Sequence, residues 1–214
     1  MRQIIKDNKL FLGLFVLFLL LGIYPLATMG KGDLLLLINS ENNAFLDVFF
    51  AIVTRFAEVP AFIMVFFVFF IMKKRKEAWL VGVLGVLVLL TSFVLKSFFQ
   101  HPRPKTFFEG KNLLEQLYFV EGVYINSGNT AFPSGHTMGA FALFSLISFI
   151  APNKSWMPLI FFVLAVLVGL SRIYLVQHFF EDVYSGALLG VLLSLLSIWA
   201  FGKYFNKSKQ PASV

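Results

Sequence analysis

Lys96-x6-Arg103-Pro104, Pro133-Ser134-Gly135-His136 and Ser171-Arg172-x5-His178-x3-Asp182 bring three cations, two histidines and a carboxylate to the ends of long apolar runs. Each such group is costly in lipid, so an ionisable residue there is by default a functional hypothesis. Three fixed cations suit an anion with several oxygens, which points to phosphate. Two histidines add proton transfer or nucleophilic attack. Together they describe a phosphoryl-transfer site at a membrane surface.

Each residue type has a physical reason to be in such a site. Pro133 suits a first helical position, where its missing N–H removes no hydrogen bond. The N–H groups of Ser134, Gly135 and His136 would then face outward as an anion site at a helix N-terminus. Arg103 and Arg172 can each grip two phosphate oxygens, and Lys96 adds a compact point charge. His178 and Asp182 are four apart and on a helix would share a face. The carboxylate can hold one imidazole nitrogen and leave the other free to attack phosphorus. His136 can protonate the departing alkoxide.

Each feature alone also has a plainer reading. Lys96 and Arg172 can snorkel at helix ends, His178 and Asp182 can be a structural pair, and Pro-Ser-Gly-His can merely start a helix. Their coincidence at one membrane face favours the site. His101, in a loop next to prolines, reads as a bystander. Glu181 points about 100° away from Asp182 on a helix. Arg55 and Glu58 read as a local ion pair. The run 113–120 reads as an interfacial helix or a packed loop.

The elements that must position these residues follow from composition. Hydrophobic residues are 58% of 214, Phe alone supplies 28, and only 14% are charged. Soluble domains are nearer a quarter charged. One all-α, polytopic membrane domain over 1–214 is expected, with no separate soluble domain. A span needs about 20 apolar residues. Six are expected, at about 10–27, 56–72, 78–96, 133–150, 156–170 and 182–201. The first, flanked by Arg2, Lys6 and Lys9, lacks a small-x-small cleavage pattern and reads as a retained helix. Cysteine is absent, which removes thiol chemistry and disulfides. No metal and no cofactor are expected.

Charge gives orientation. Arg2, Lys6, Lys9, Lys73, Lys74, Arg75, Lys76, Lys154, Lys203, Lys207 and Lys209 would share one side, eleven of 18 Lys and Arg. The positive-inside rule makes that side cytoplasmic, with both termini on it, in an inner (cytoplasmic) membrane. All three motifs then face the periplasm or exterior. The net charge of +7 lies beside apolar segments, which points to anionic lipid headgroups rather than nucleic acid.

The three motifs match, without a departure, the pattern of the type 2 phosphatidic acid phosphatases, or lipid phosphate phosphatases, and the chain resembles the six-span bacterial membrane branch of that family. The resemblance implies a metal-independent phosphatase working through a phosphohistidine. His178 would be the nucleophile, Asp182 its orienting partner, and His136 the general acid and then the base for water. Lys96, Arg103, Ser134, Gly135 and Arg172 would hold the phosphate. It implies a phosphorylated membrane lipid as substrate: undecaprenyl diphosphate first, then lipid A phosphate, phosphatidylglycerophosphate or phosphatidate. The same site could instead serve a lipid-to-lipid phosphotransferase. A non-catalytic lipid-binding or transport protein is the other alternative.

Overall fold

The computed structural model describes residue 6 and residues 8–150 and 156–207, with side chains through 202. Arg2, Asp7, Lys154, Ser155 and Lys209, which enter the charge and topology arguments, lie outside the described residues.

Within them the fold is helical and strand-free. Helix α1 covers Lys9–Thr28, α2 Asp33–Ser40 and α3 Ala44–Val53, followed by a 3₁₀ turn at Thr54–Ala57. Helix α4 covers Val59–Ile71 and α5 Arg75–Phe99. A short α6 (Pro104–Glu109) and a 3₁₀ turn (Leu114–Gln116) interrupt the long connection to α7, Gly135–Ile150. Helices α8 (Met157–Tyr174) and α9 (Phe180–Lys207) complete the bundle.

Helix α7 is the axis. It packs against α9, α8 and α5, and Thr137 through Leu146 are all buried. Lipid offers no hydrophobic drive between helices, so small residues that permit close approach matter most. Gly186 of α9 shows this: a Cβ there would lie 2.6 Å from the Ser134 carbonyl oxygen. The outer faces of α1, α4 and α5 leave Leu20, Leu21, Ile71, Val86 and Phe93 exposed, as lipid-facing surfaces do.

Among the described residues, four helices are long and apolar enough to cross a membrane: α1, α5, α8 and α9. The segments 33–40 and 44–57 qualify only as one pair, bent by 120°. The expected spans at 56–72 and 133–150 correspond to α4 and α7, apolar but with 13 and 16 residues. The count of six is therefore not confirmed by helix length. The physical reason differs for each. The Glu58-Val59-Pro60 junction starts α4 late. Helix α7 is wrapped by other helices and needs no lipid-facing length of its own.

The helices that match expected spans start within three residues of the expected starts, while α8 and α9 run four and six residues past the expected ends at 170 and 201. Helix α5 stops where Gln100 turns left-handed at φ +48, its N–H bonded to the Lys96 carbonyl at 3.2 Å, a common C-terminal device. That stop leaves Lys96 in the last turn. The Lys73–Lys76 cluster sits at the opposite end of the same helix. The stretch 33–40, unassigned in the sequence, forms α2. The run 113–120 is a packed loop with one 3₁₀ turn, its Leu117 and Val120 buried. Asn39 ties that loop down: its carbonyl oxygen accepts from Tyr118 N at 2.8 Å, and its amide donates to the carbonyls of Tyr118 and Tyr174, each at 2.9 Å.

Candidate active site

The C-terminal ends of α5 and α8 and the N-terminal ends of α7 and α9 meet at one end of the bundle. All the sequence-predicted site residues lie there.

The Pro-Ser-Gly-His segment differs in detail from expectation. Helix α7 begins at Gly135, so Pro133 precedes the helix by two residues instead of opening it. Ser134 is the cap: its carbonyl accepts from Met138 N at 2.9 Å, and its hydroxyl oxygen accepts from the Thr137 hydroxyl at 2.9 Å. Its own N–H donates to the Asp182 carbonyl at 3.0 Å. The expected free N–H of Ser134 is thus occupied, while its hydroxyl hydrogen remains available for an anion. Gly135 and His136 are partly exposed at the helix start, where the helix dipole favours negative charge. A Cβ on Gly135 would lie 2.9 Å from Ser92 Oγ and 3.9 Å from Lys96 Nζ, which places the lysine against this turn.

The two arginines are built in, each 6% exposed, which rules out simple snorkelling. Arg103 donates from Nε to Thr130 Oγ1 at 3.1 Å, from Nη1 to the Gln177 carbonyl at 3.1 Å and from Nη2 to the Thr130 carbonyl at 3.3 Å. Arg172 donates from Nη1 to Thr54 Oγ1 at 2.6 Å. Its Nε is buried without a partner. A buried donor left unpaired is unfavourable, and a phosphate oxygen is the partner its charge suits. Lys96 lies within electrostatic reach of both arginines. Three like charges held together in a buried corner repel one another until an anion joins them.

His178 and Asp182 do not share a helical face. His178 precedes α9 by two residues, on a turn where Val176 adopts φ +55. A β-branched residue there marks strain held in place by its surroundings. Here those surroundings are the N–H groups of Gln177 and His178, both donating to the Arg172 carbonyl at 2.9 and 3.0 Å. Asp182, in the first turn of α9, reaches back to accept Phe179 N at Oδ2, 2.9 Å away. This is one arm of a capping box. The same Oδ2 stands 3.4 Å from His178 Nδ1. The pair thus meets through a helix cap. Burial, then the charges of Arg103, Arg172 and Lys96, holds His178 well below the usual histidine range. The ring is neutral at physiological pH, the form a nucleophile needs.

His136 is partly exposed, whereas His178 is 1% exposed, so an approaching anion meets His136 first. His136 Nε2 faces Glu58 Oε1 at 3.7 Å. Glu58 therefore pairs with this histidine, and the expected Arg55–Glu58 pair is not formed. Beyond them, α4 and α5 enclose an apolar groove of about 630 Å³. Its mouth is Glu58, Ser92, Gly135 and His136, and its walls include Phe62, Phe66, Gly85 and Leu89. Glu181 does point away from Asp182, pairing with Lys31 at 3.3 Å. His101 packs edge-on against Phe99 and at a tilt against Phe132, with ring centroids 5.9 and 5.1 Å away.

Sequence reasoning missed Thr54, Ser92, Thr130 and Gln177, uncharged residues with no periodic signal. It noticed Glu58 but assigned the wrong partner. The available signal was position: a carboxylate directly before Val-Pro at the start of an apolar run, on the side of the motifs.

Comparison with known proteins now bears on this geometry. Residues 76–206 match the family model of the PAP2 superfamily, which is more than half of the chain. Phosphatidylglycerophosphatase B of Bacillus subtilis is 39% identical over a short stretch of 80 residues, 34% of this chain and 39% of that protein. Undecaprenyl-diphosphatase BcrC of the same organism is 25% identical over 159 residues, 73% of this chain and 76% of that one. Aquifex aeolicus LpxE superposes with a TM-score of 0.66 at 29% identity, over 79% of this chain and 94% of its own. The helical scaffold and the family match agree over the region that carries all three motifs, and the chain belongs to the PAP2 superfamily as a multi-pass membrane protein whose matched relatives include lipid phosphatases.

Proposed function

We propose that this chain hydrolyses the phosphate or diphosphate headgroup of a membrane lipid, most readily undecaprenyl diphosphate. One observation carries the lipid reading: the apolar groove between α4 and α5 is lined at one end by Gly135 and His136, the turn against which Lys96 lies. Along α5 the groove runs from Ser92 to Val81, a rise of about 16 Å. A headgroup can sit among the cations while the first part of its tail lies in the groove. The BcrC likeness supports undecaprenyl diphosphate. Phosphatidylglycerophosphate, lipid A phosphate and phosphatidate follow.

The reaction proceeds in two displacements. His178 Nε2 attacks phosphorus, the bond to the leaving oxygen breaks, and His136 gives that oxygen its proton. A water then attacks the phosphohistidine, the P–N bond breaks, and His136 takes the water proton, regenerating both histidines and releasing phosphate. Arg103, Arg172, Lys96, Gly135 and the Ser134 hydroxyl stabilise the charge on the equatorial oxygens. Asp182 orients His178. No metal takes part in this scheme.

Phosphate release by purified protein from a panel of the four lipids tests this. Undecaprenyl diphosphate should show the highest kcat/KM, and EDTA should leave the rate unchanged. Loss of activity to EDTA with recovery in Mg²⁺ would sink the mechanism. Phosphate appearing on a second lipid instead of in solution would identify a phosphotransferase.

We further propose six crossings with both termini cytoplasmic and the site facing outward in the inner membrane. Ser127 lies exposed in the connection before α7. A cysteine there should react with a membrane-impermeant thiol reagent in intact cells, and one at Ser155 should not. The chain has no native cysteine to confuse the result. The reverse labelling would place the site in the cytoplasm.

A further inference from the structure

We propose that Glu58 is a positioning residue for His136, holding its ring and stabilising its imidazolium so that a proton is ready for the leaving oxygen. The inference rests on the lipid phosphatase reading above.

Glu58 precedes α4 at its N-terminal cap, with extended backbone and Pro60 in the first turn. Acidic residues at such positions commonly bond the first N–H groups of their own helix. Glu58 does not: no side-chain capping bond forms. Its carboxylate turns away from α4 and stands 3.7 Å from His136 Nε2. Catalytic contacts in an empty site are often this long and tighten around substrate.

The surroundings explain why such a carboxylate is useful. Arg172, Lys96 and Arg103 all face His136 electrostatically. Those cations grip phosphate, but they also oppose a protonated imidazole beside them. An opposite charge within about 4–6 Å favours the charged form. Glu58 supplies that charge at 3.7 Å, beside the groove that both residues line. It also faces Arg172. Each histidine thus has its own carboxylate. Asp182 is paired with the ring that needs a free nitrogen, and Glu58 with the ring that needs a spare proton. Glu58 also stands at the groove mouth, where the oxygen joining headgroup to tail would lie.

Glu58→Gln preserves shape and removes the charge, and the residue is partly solvated, so folding should survive. The test compares phosphatidate, whose alkoxide needs a proton on leaving, with para-nitrophenyl phosphate, whose phenolate does not. In Glu58→Gln, kcat on phosphatidate should fall about tenfold, part of the 10²–10⁴ that a general acid typically supplies. KM should be unchanged, and the initial burst of nitrophenolate from the aryl phosphate, which precedes the step in which His136 takes the water proton, should be little altered. Glu58→Asp should restore part of the loss. In a His136→Ala background, Glu58→Gln should add little, because the two act as one unit. Equal losses on both substrates, no loss on either, or full additivity with His136→Ala would each overturn the proposal. If the unaltered protein turns over neither substrate, the phosphatase reading itself fails and takes this one with it. Turnover of both by that protein, with a uniform effect of Glu58→Gln, defeats this proposal alone.

Discussion

His178→Ala should abolish phosphate release from every lipid tested, a fall on the order of 10⁶ in turnover if losing this nucleophile resembles its loss in serine hydrolases. The site offers no substitute. His136 is committed to Glu58 at 3.7 Å on the half-exposed side, and His101 is packed against two phenylalanine rings. The variant should still bind substrate, because Arg103 is held by Thr130 and Gln177 and Arg172 by Thr54, through bonds independent of the imidazole. Rapid quench with ³²P-labelled lipid is the direct check. The unaltered protein should yield an acid-labile, base-stable phosphoprotein, and His178→Ala should yield none. Orthovanadate should inhibit the unaltered protein, since its trigonal bipyramid resembles the transition state. A labelled phosphoprotein in His178→Ala would move the nucleophile elsewhere.

Asp182→Asn should lower kcat by about 10³–10⁴, by analogy with the aspartate of serine-protease triads, while leaving thermal stability almost unchanged. The two effects separate because Asp182 has separate duties. Its Oδ2 accepts Phe179 N at 2.9 Å, and an asparagine carbonyl can accept the same bond, so the cap survives. Its main-chain carbonyl accepts Ser134 N whatever the side chain. What asparagine cannot supply is the charge facing His178 Nδ1, and its NH₂ group can favour the wrong tautomer. Thermal unfolding in detergent and steady-state kinetics on one preparation would show both. A kcat within tenfold of the original would remove Asp182 from the mechanism. A collapse in melting temperature alongside the lost activity would make it a structural residue.

The parts of this molecule legible in its sequence were those governed by charge and hydrophobicity. Long apolar runs announced α1, α5, α8 and α9, and ionisable residues at their ends announced the site. The expected alternation of crossings put Lys96, His136, Arg172 and His178 on one side, and the structure brings them to one end of the bundle. What stayed hidden depended on tertiary geometry. The segment 33–57 carries Asp47 and Arg55 among its apolar residues and fell almost wholly outside the expected spans, yet it folds as two helices bent by 120°. Thr54 within it and Glu58 just after it reach Arg172 and His136 across 118 and 78 positions of sequence. The four-residue spacing of His178 and Asp182 suggested a helical face, but Val176 at φ +55 breaks the helix and a capping carboxylate restores the contact. Periodicity reports which residues share an element. It is silent about a strained turn set by the carbonyl of Arg172.

One bond between main-chain atoms has a consequence for how such a protein can change over time. Ser134 N–H to the Asp182 carbonyl, at 3.0 Å, joins the segment carrying one histidine to the segment carrying the other. Side-chain replacement at either position leaves those two atoms in place, proline at 134 excepted. The spacing between the two histidines, the proposed attacker and proton donor, is thereby insulated from most mutation. The walls of the groove, Phe62, Phe66, Gly85 and Leu89, belong to α4 and α5 and carry no part of that bond. Substitutions there can refit the protein to tails of another length or branching while the reaction centre stays as it was. A new lipid preference can therefore arise without passing through an inactive ancestor.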